Sequence, residues 1–227
     1  MRLLSDLLNL LSPRYCAVCH ETLTPSERLV CGRCLLGLPY TRIKDLVENE
    51  VTRLFYGRFP IERGYSHLYY GKDAPSHPLL MQLKYGHRPD IGSSMGLLIG
   101  QQLRGKGFFE GVDAIVAVPL HWRRQLKRGY NQSAQLAKGL SRATGIRVGK
   151  GIVRRGVNNV SQTRMTSGSQ RRDNVQGVFV ARKTPLRHLL LVDDVLTTGA
   201  TISVCAEAIM RENPDARFSV LTLAKAK

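Results

Sequence analysis

The stretch LLLVDDVLTTGATI, residues 189–202, holds the pattern that decides the fold. Leu189–Val192 has the length and the branched apolar composition of a buried strand. Two adjacent acids, Asp193 and Asp194, stand at its carboxyl end, and Thr197–Gly199 then lead into a predicted helix. A strand followed by a short polar turn and a helix is the repeating unit of an α/β sheet.

Strands and helices are predicted to alternate along most of the remaining chain. Further strands are predicted at 63–71, 115–118, 178–180 and 218–223. Helices are predicted at 76–85, at 90–104, from an N-cap at Asn131 to about 143, and at 200–211. This alternation indicates an α/β fold with a mostly parallel, twisted sheet flanked by helices. Ligands of such sheets bind beyond the carboxyl ends of the strands.

The turn after the acids has the features of an anion pocket. Backbone N–H groups at the start of a helix have no partner within the helix, and the hydroxyls of Thr197 and Thr198 add further donors. Gly199 lets the backbone approach a phosphate closely. Two carboxylates beside such a pocket fit a ligand that carries a phosphate and neighbouring hydroxyls. The alternative, an ordinary helix cap with Asp in a turn, accounts for only one acid and one threonine.

The charge distribution points to a polyanionic partner. The 227 residues carry a formal net charge of +17, and the span Ala114–Arg172 contains thirteen Lys or Arg and no acid. A soluble surface without such a partner usually interleaves the two signs, although a solvated basic face remains the alternative. The one-sided field suits phosphate-rich small molecules, nucleic acid, or both.

The apolar segments of the sequence limit which classes of protein it fits. The apolar runs are too short for a transmembrane segment. The leucines of MRLLSDLLNLLSP, residues 1–13, have the spacing of a short packing helix, and no cleavage site of a signal peptide follows them. We therefore predict a cytoplasmic protein with three parts: a helix and cysteine module at 1–40, a connector at 41–60, and an α/β domain at 61–227.

Four cysteines before residue 40 predict a metal site. Cys16 and Cys19 form one CxxC pair, Cys31 and Cys34 form a second, and eleven residues separate them. Two such pairs bring four thiolates to one tetrahedral ion, which points to structural zinc. Paired disulfides are the alternative, but thiols stay reduced in the cytosol. His20 is a further candidate ligand, although four cysteines already complete the shell.

The motif VDDVLTTGAT resembles the phosphoribosyl-pyrophosphate (PRPP) motif of type I phosphoribosyltransferases. The resemblance implies that Asp193 and Asp194 hold the 2′- and 3′-hydroxyls of the ribose, and that magnesium accompanies PRPP. It further implies that residues 197–201 wrap the 5′-phosphate through backbone N–H groups and the hydroxyls of Thr197, Thr198 and Thr201. The other residues of the implied PRPP-binding segment are Val195, Leu196, Gly199 and Ala200.

Two further motifs and the cysteine module extend the match. AVPLHWRRQLKRGYNQS at 117–133 and RRDNVQGVF at 171–179, in this order around the PRPP motif, resemble the competence protein ComF family. The resemblance implies a flexible loop at 156–170 and assigns no role to Lys84. It also implies a pyrophosphate loop with basic neighbours, formed by Val118, Pro119, Leu120, His121, Arg123 and Arg128.

Two functions follow from these patterns. The resemblance implies a role in natural transformation, in which the chain handles internalised single-stranded DNA, alone or with other competence proteins. The candidate DNA contacts are Arg123, Arg124, Lys127, Arg128, Arg154 and Arg155. The only aromatic residues of the basic span, Trp122 and Tyr130, predict little base stacking. The alternative is a magnesium-dependent phosphoribosyltransferase acting on an unidentified base. The sequence identifies no catalytic residue, no acceptor, no choice between DNA and RNA, and no oligomeric state.

Overall fold

The computed structural model describes residues 13–156 and 178–227. The strands of this part are β1 (Ile61–Tyr70), β2 (Ala114–Ala117), β3 (Val153–Arg155), β4 (Phe179–Ala181), β5 (His188–Leu196) and β6 (Arg217–Ala226). Four of them form a parallel sheet in the order β1-β6-β5-β2, and β3 pairs with β4 in a small antiparallel sheet. The mostly parallel sheet predicted from the sequence is confirmed.

Helices cover both faces of the parallel sheet. They are α1 (Gly32–Gly37), α2 (His77–Tyr85), α3 (Pro89–Leu103), α4 (Trp122–Arg128), α5 (Gln132–Thr144) and α6 (Ala200–Glu212), with a 3-10 helix at Thr52–Phe55. Leu190 and Val192 of β5 pack in one core with α3 and α5. Leu189 and Leu191 face the other way and pack in a second core with α6. This alternation explains why β5 reads as a continuous apolar run, since both its faces are buried.

Glycines let α3 and α5 approach each other closely. Gly92, Gly96 and Gly100 recur every four residues on α3, so they lie on one face of that helix. A Cβ atom added to Gly96 or Gly139 would overlap backbone atoms of the opposite helix. This close packing holds α5 against β5 and β2, and its first turn therefore lies beside the carboxyl ends of both strands.

The structure differs from the prediction at the end of β5 and in the segment after Pro119. The strand expected at 189–192 continues to Leu196, so Asp193 and Asp194 lie within β5 rather than after it. The reason is that β6 pairs with β5 beyond the apolar run, with Asp193 opposite Thr222 and Val195 opposite Ala224. The segment after Pro119 forms α4, which the sequence did not predict because that helix has no buried face.

The cysteine module packs against the α/β domain. Cys16 and Leu23 belong to the same hydrophobic core as Leu79 and Leu80 of α2. The division at residues 40 and 60 stays a prediction. The helix predicted within residues 1–12 and the loop predicted at 156–170, apart from Gly156, lie outside the described residues. Over residues 13–156 and 178–227, no helix is both long and apolar enough to cross a bilayer.

Candidate functional site

A cavity of about 470 Å³ lies at the carboxyl ends of the parallel strands. Segments distant in the sequence meet there because parallel strands end at the same edge of the sheet. The lining residues are Tyr70, Lys84, Val118–His121, Arg124, Arg128, Gln132, Ser133, Arg155, Asp193–Val195, Thr197 and Thr201. A narrow recess of about 30 Å³ beside it is lined by Asp193 and the residues from Val195 to Ile202. All nine predicted PRPP-binding residues, from Asp193 to Thr201, line one of these two spaces.

The two acids have different partners. The Ser133 hydroxyl donates to Oδ1 of Asp193 at 2.8 Å, and the backbone N–H of Asp194 donates to the same oxygen at 2.9 Å. Burial raises the pKa of the Asp193 carboxyl to about 7, and the neighbouring charge of Asp194 adds to the rise. Asp194 instead lies 3.5 Å from Nζ of Lys84, in a half-buried ion pair. Asp193 is therefore the carboxylate that gains most from a cation or a hydroxyl donor in the cavity.

The TTG turn has the geometry of an anion site at the start of α6. Gly199 caps this helix with φ of 74°, in the left-handed region that favours glycine. A Cβ atom there would also lie 2.6 Å from the ring of Phe55, so the position excludes a side chain on two grounds. Thr197 and Thr198 are exposed, and Ala200 and Thr201, the first residues of α6, line the recess beside them. The N–H groups at the start of a helix have no partner within the helix, which makes this end of α6 suited to an anion.

The loop after β2 forms the opposite wall of the cavity. The N–H of Val118 donates to the carbonyl of Val192 at 2.9 Å, and the side-chain amide of Asn131 donates to the carbonyl of Val118 at 3.0 Å. Asn131 also caps α5, accepting from the N–H groups of Ser133 and Ala134, as the sequence predicted. The loop is therefore fixed both to the central strand and to the helix that carries Ser133.

The basic residues divide between the cavity and the surface around it. Arg128 lines the cavity and donates to Oε1 of Gln132 at 2.9 Å. Arg124 also lines the cavity, whereas Arg123 lies outside it with its guanidinium 5.2 Å from the centre of the Trp122 ring. Of the two arginines predicted at the pyrophosphate loop, Arg128 therefore lines the cavity and Arg123 does not. Lys127 is exposed on α4.

Three cavity residues were missed or left without a role by the sequence. Ser133 binds Asp193 from a position sixty residues earlier, and only the packing of α5 brings the two together. Lys84 pairs with Asp194 and lies 5.8 Å from the centre of the Tyr70 ring. Arg155 on β3 was predicted only as a DNA contact, but it also lines the cavity. A basic residue in a short strand carries no sequence signal for such a position.

A larger depression of about 570 Å³ lies at the opposite edge of the sheet, before β5 and β6. The polar groups of Asn213, in its wall, already have partners. The side-chain carbonyl of Asn213 accepts from the backbone N–H of Thr184 at 2.7 Å. The side-chain NH₂ of Asn213 donates to the backbone carbonyls of Arg182 and Ile209. The depression also lies at the amino ends of the strands, where ligands of parallel sheets do not normally bind. The smaller cavity is therefore the candidate site.

The four cysteines of the N-terminal module converge on one point. Their sulfur atoms all lie within 4.8 Å of one another, and Cys19 Sγ lies 3.8 Å from Cys31 Sγ. Zinc–sulfur bonds of about 2.3 Å in a tetrahedron place sulfur atoms about 3.8 Å apart, so the cluster fits zinc. None of the four forms a disulfide. His20 is exposed and is not part of the cluster.

Backbone donors support thiolates in this cluster. Burial raises the pKa of the Cys16 thiol, but hydrogen bonds from the N–H groups of Cys19, Cys31 and Val18 outweigh it and lower the pKa to about 7. Burial and the neighbouring thiols raise the pKa of Cys34. Four thiols in this arrangement cannot all ionise without a cation between them, which is the chemistry that a bound zinc ion supplies.

Comparisons with known proteins identify relatives over much of the chain. The DNA utilization protein YhgH of Escherichia coli (strain K12) is 31% identical over 206 residues, which cover 86% of this chain and 84% of the relative. The Competence protein F of Haemophilus influenzae is 37% identical over 103 residues, or 44% of each chain. No protein-family model matches the sequence.

Solved structures give weaker similarities. The glutamine PRPP amidotransferase from B. subtilis matches with a TM-score of 0.35 and 16% identity, covering 62% of this chain and 39% of that one. The xanthine-guanine-hypoxanthine phosphoribosyltransferase of Helicobacter pylori matches with a TM-score of 0.34 and 16% identity, covering 61% and 84%. Similarity at this level assigns no reaction to the chain. The relationship to YhgH extends over most of both sequences, and the chain belongs to the competence protein ComF family.

Proposed function

We propose that the chain binds PRPP, or a related phosphoribosyl ligand, in the cavity at the carboxyl edge of the sheet, and that it handles single-stranded DNA along the basic surface beside this cavity. The role belongs to DNA utilisation and natural transformation in the cytoplasm, in concert with other competence proteins. The names of the relatives in E. coli and H. influenzae support the connection with DNA.

One observation carries the proposal: the paired acids and the basic residues of the acid-free span meet at the same edge. Asp193 and Asp194 line the cavity together with Arg124, Arg128 and Arg155. The acids suit the hydroxyls of a ribose, and the guanidinium groups suit phosphates. A solvated basic face without a partner does not require acids to be held among those arginines.

The residues of the cavity have separate parts in this proposal. Asp193, held by Ser133, accepts a hydrogen bond from one ribose hydroxyl. Asp194 accepts a hydrogen bond from the adjacent ribose hydroxyl, while Lys84 contacts both Asp194 and the ligand. The turn Thr197–Thr201 receives the 5′-phosphate. Magnesium bound to the pyrophosphate offsets the charge of the ligand and of the acids when PRPP is present. Zinc at the four cysteines stabilises the small module, because the apolar area that this module buries on its own is too small to keep it folded.

Reversing the charge of α4 is expected to weaken DNA binding for every sequence alike. If four to six basic residues contact the strand, log affinity falls against log salt with a slope of about −3 to −4, because each contact releases about 0.7 of a condensed cation. Replacing Arg123, Arg124 and Lys127 together with Glu removes up to three contacts and should make the slope shallower by about 2. Fluorescence anisotropy of labelled oligonucleotides over a salt series measures both quantities.

A matched variant separates a local contact from the overall charge. Replacing Arg182, Lys183 and Arg187 with Glu changes the net charge equally at the opposite edge of the sheet. This control should lower affinity slightly and keep the slope. Equal losses in both triple variants would contradict the proposed surface, and absence of binding by the wild-type chain at low salt would rule out the DNA-handling function.

A catalytic phosphoribosyltransferase is the second candidate. The observation that favours it is Asp193, a carboxylate with a raised pKa beside an anion turn, in a cavity large enough for PRPP. Pyrophosphate release from PRPP and magnesium tests it, with a panel of bases and with single-stranded DNA as possible acceptors. Release that depends on one acceptor and disappears in Asp193→Asn supports an enzyme, and no release with any acceptor leaves PRPP as a bound ligand.

A further inference from the structure

A second groove adjoins the cavity and is mainly apolar. It has a volume of about 500 Å³, and its lining residues are Pro119, Leu120, Trp122, Gln125, Val153 and Arg154–Gly156. Pro119, Leu120 and Arg155 also line the candidate PRPP cavity, so the two spaces share a wall. A ligand that crosses this wall places a phosphate among the arginines of the cavity and a less polar part in the groove.

Trp122 gives the groove an aromatic surface. It is the only tryptophan of the chain and is the first residue of α4, and 55% of its surface is exposed. An exposed indole at this position does not contribute to a core. The His121 ring stacks near it at 5.9 Å, and the guanidinium of Arg123 lies 5.2 Å from the ring centre. The exposed Arg123 can leave the indole at little cost and pair with a phosphate instead.

Positive charge surrounds this apolar groove. Arg154 and Arg155 form one side, and Arg123 and Arg124 lie on the helix that carries Trp122. In the described part of the chain, none of these four guanidinium groups forms an ion pair with a carboxylate. An apolar, aromatic surface between these four arginines complements a single-stranded base that has a phosphate on each side.

We propose that this groove binds single-stranded nucleic acid by stacking one unpaired base on Trp122, with the flanking phosphates on Arg123, Arg124, Arg154 and Arg155. The inference rests on the proposed DNA-handling function and adds the residue that contacts a base. It also revises the expectation of little stacking, since one well-placed indole is enough for one base. Stacking of this kind tolerates any sequence because every base has a π-face.

The fluorescence of the single tryptophan tests the inference directly. Titration with an oligothymidylate of about 12 nucleotides should quench the emission saturably, with the same midpoint as binding measured by anisotropy. A strand of the same length without bases should bind more weakly and leave the emission nearly unchanged. Trp122→Ala should weaken oligothymidylate binding by roughly tenfold, Trp122→Leu similarly, and Trp122→Phe much less. The salt slope should stay the same in all three, because no charge is removed.

Leu126→Ala is the matched control. Leu126 lies one turn along α4, is 76% exposed, and is not among the groove residues, so its removal should not change DNA binding. Unchanged melting temperatures would show that the Trp122 variants are folded. Salt-dependent binding without quenching, with full affinity in Trp122→Ala, would overturn the inference and leave the proposed function intact. Equal quenching by free thymidine monophosphate would overturn the commitment to a strand, and absence of any strand binding would reject the proposed function itself.

Discussion

Replacing both acids of the motif, Asp193→Asn with Asp194→Asn, is expected to abolish PRPP binding while the chain stays folded. Two charge-assisted hydrogen bonds are worth about 1.5–3 kcal/mol each, so the loss amounts to roughly two to four orders of magnitude in affinity. The fold should tolerate the change, since burial and Asp194 raise the pKa of Asp193 to about 7 and its ionised form is unfavourable without a ligand. Calorimetry with PRPP and magnesium measures the affinity, and circular dichroism follows thermal unfolding.

The control for this double variant removes the same charge elsewhere. Glu212→Gln with Asp215→Asn neutralises two acids beside the depression at the opposite edge of the sheet. PRPP affinity should change little there, because charges at that distance are screened. Undiminished affinity in a folded Asp193→Asn/Asp194→Asn variant would contradict the assignment of the cavity.

Removal of one cysteine ligand is expected to release the metal from the N-terminal module. The purified chain should carry about one zinc ion, and Cys16→Ser should lose it because a neutral serine hydroxyl is a much weaker zinc ligand than a thiolate. Elemental analysis measures the metal content. Limited proteolysis should then cut residues 14–36 much faster, since the bound metal supplies most of the folding free energy of such a module.

Cys205→Ala is the control for the zinc prediction. Cys205 is buried in α6, far in sequence from the cluster. Its removal should lower stability through the lost packing and leave the zinc content unchanged. A reduced, folded wild-type preparation that contains no metal would contradict the site.

Local patterns in the sequence predicted the elements, whereas their contacts required the structure. The apolar run at 189–192, the N-cap Asn131 and the two CxxC pairs each carry a short-range signal with one physical cause. The bond from Ser133 to Asp193 joins residues sixty positions apart, and no local pattern encodes it. Its cause is the packing of α5 along the sheet, which the glycines of α3 and α5 permit.

The basic residues show the same limit. The acid-free composition of the span predicts a positive surface, but not which arginines face the cavity. Arg123 and Arg124 are adjacent, and the winding of α4 alone directs one to the cavity and the other to the Trp122 ring. The sequence also could not show that α4 exposes its aromatic residue, because a helix without a buried face has no hydrophobic period.

Competition between PRPP and single-stranded DNA tests whether one edge of the sheet serves both ligands. The cavity and the groove share Arg155 and the wall formed by Pro119 and Leu120, so a ribose pyrophosphate and a strand require the same positive groups. A labelled oligothymidylate is bound to the full chain at low salt, and PRPP with magnesium is added at constant ionic strength while anisotropy is followed. We expect PRPP to lower the affinity for the strand, and Asp193→Asn with Asp194→Asn to remove this effect without removing DNA binding. Strand affinity that stays constant at saturating PRPP would contradict the claim that one edge of the sheet serves both ligands.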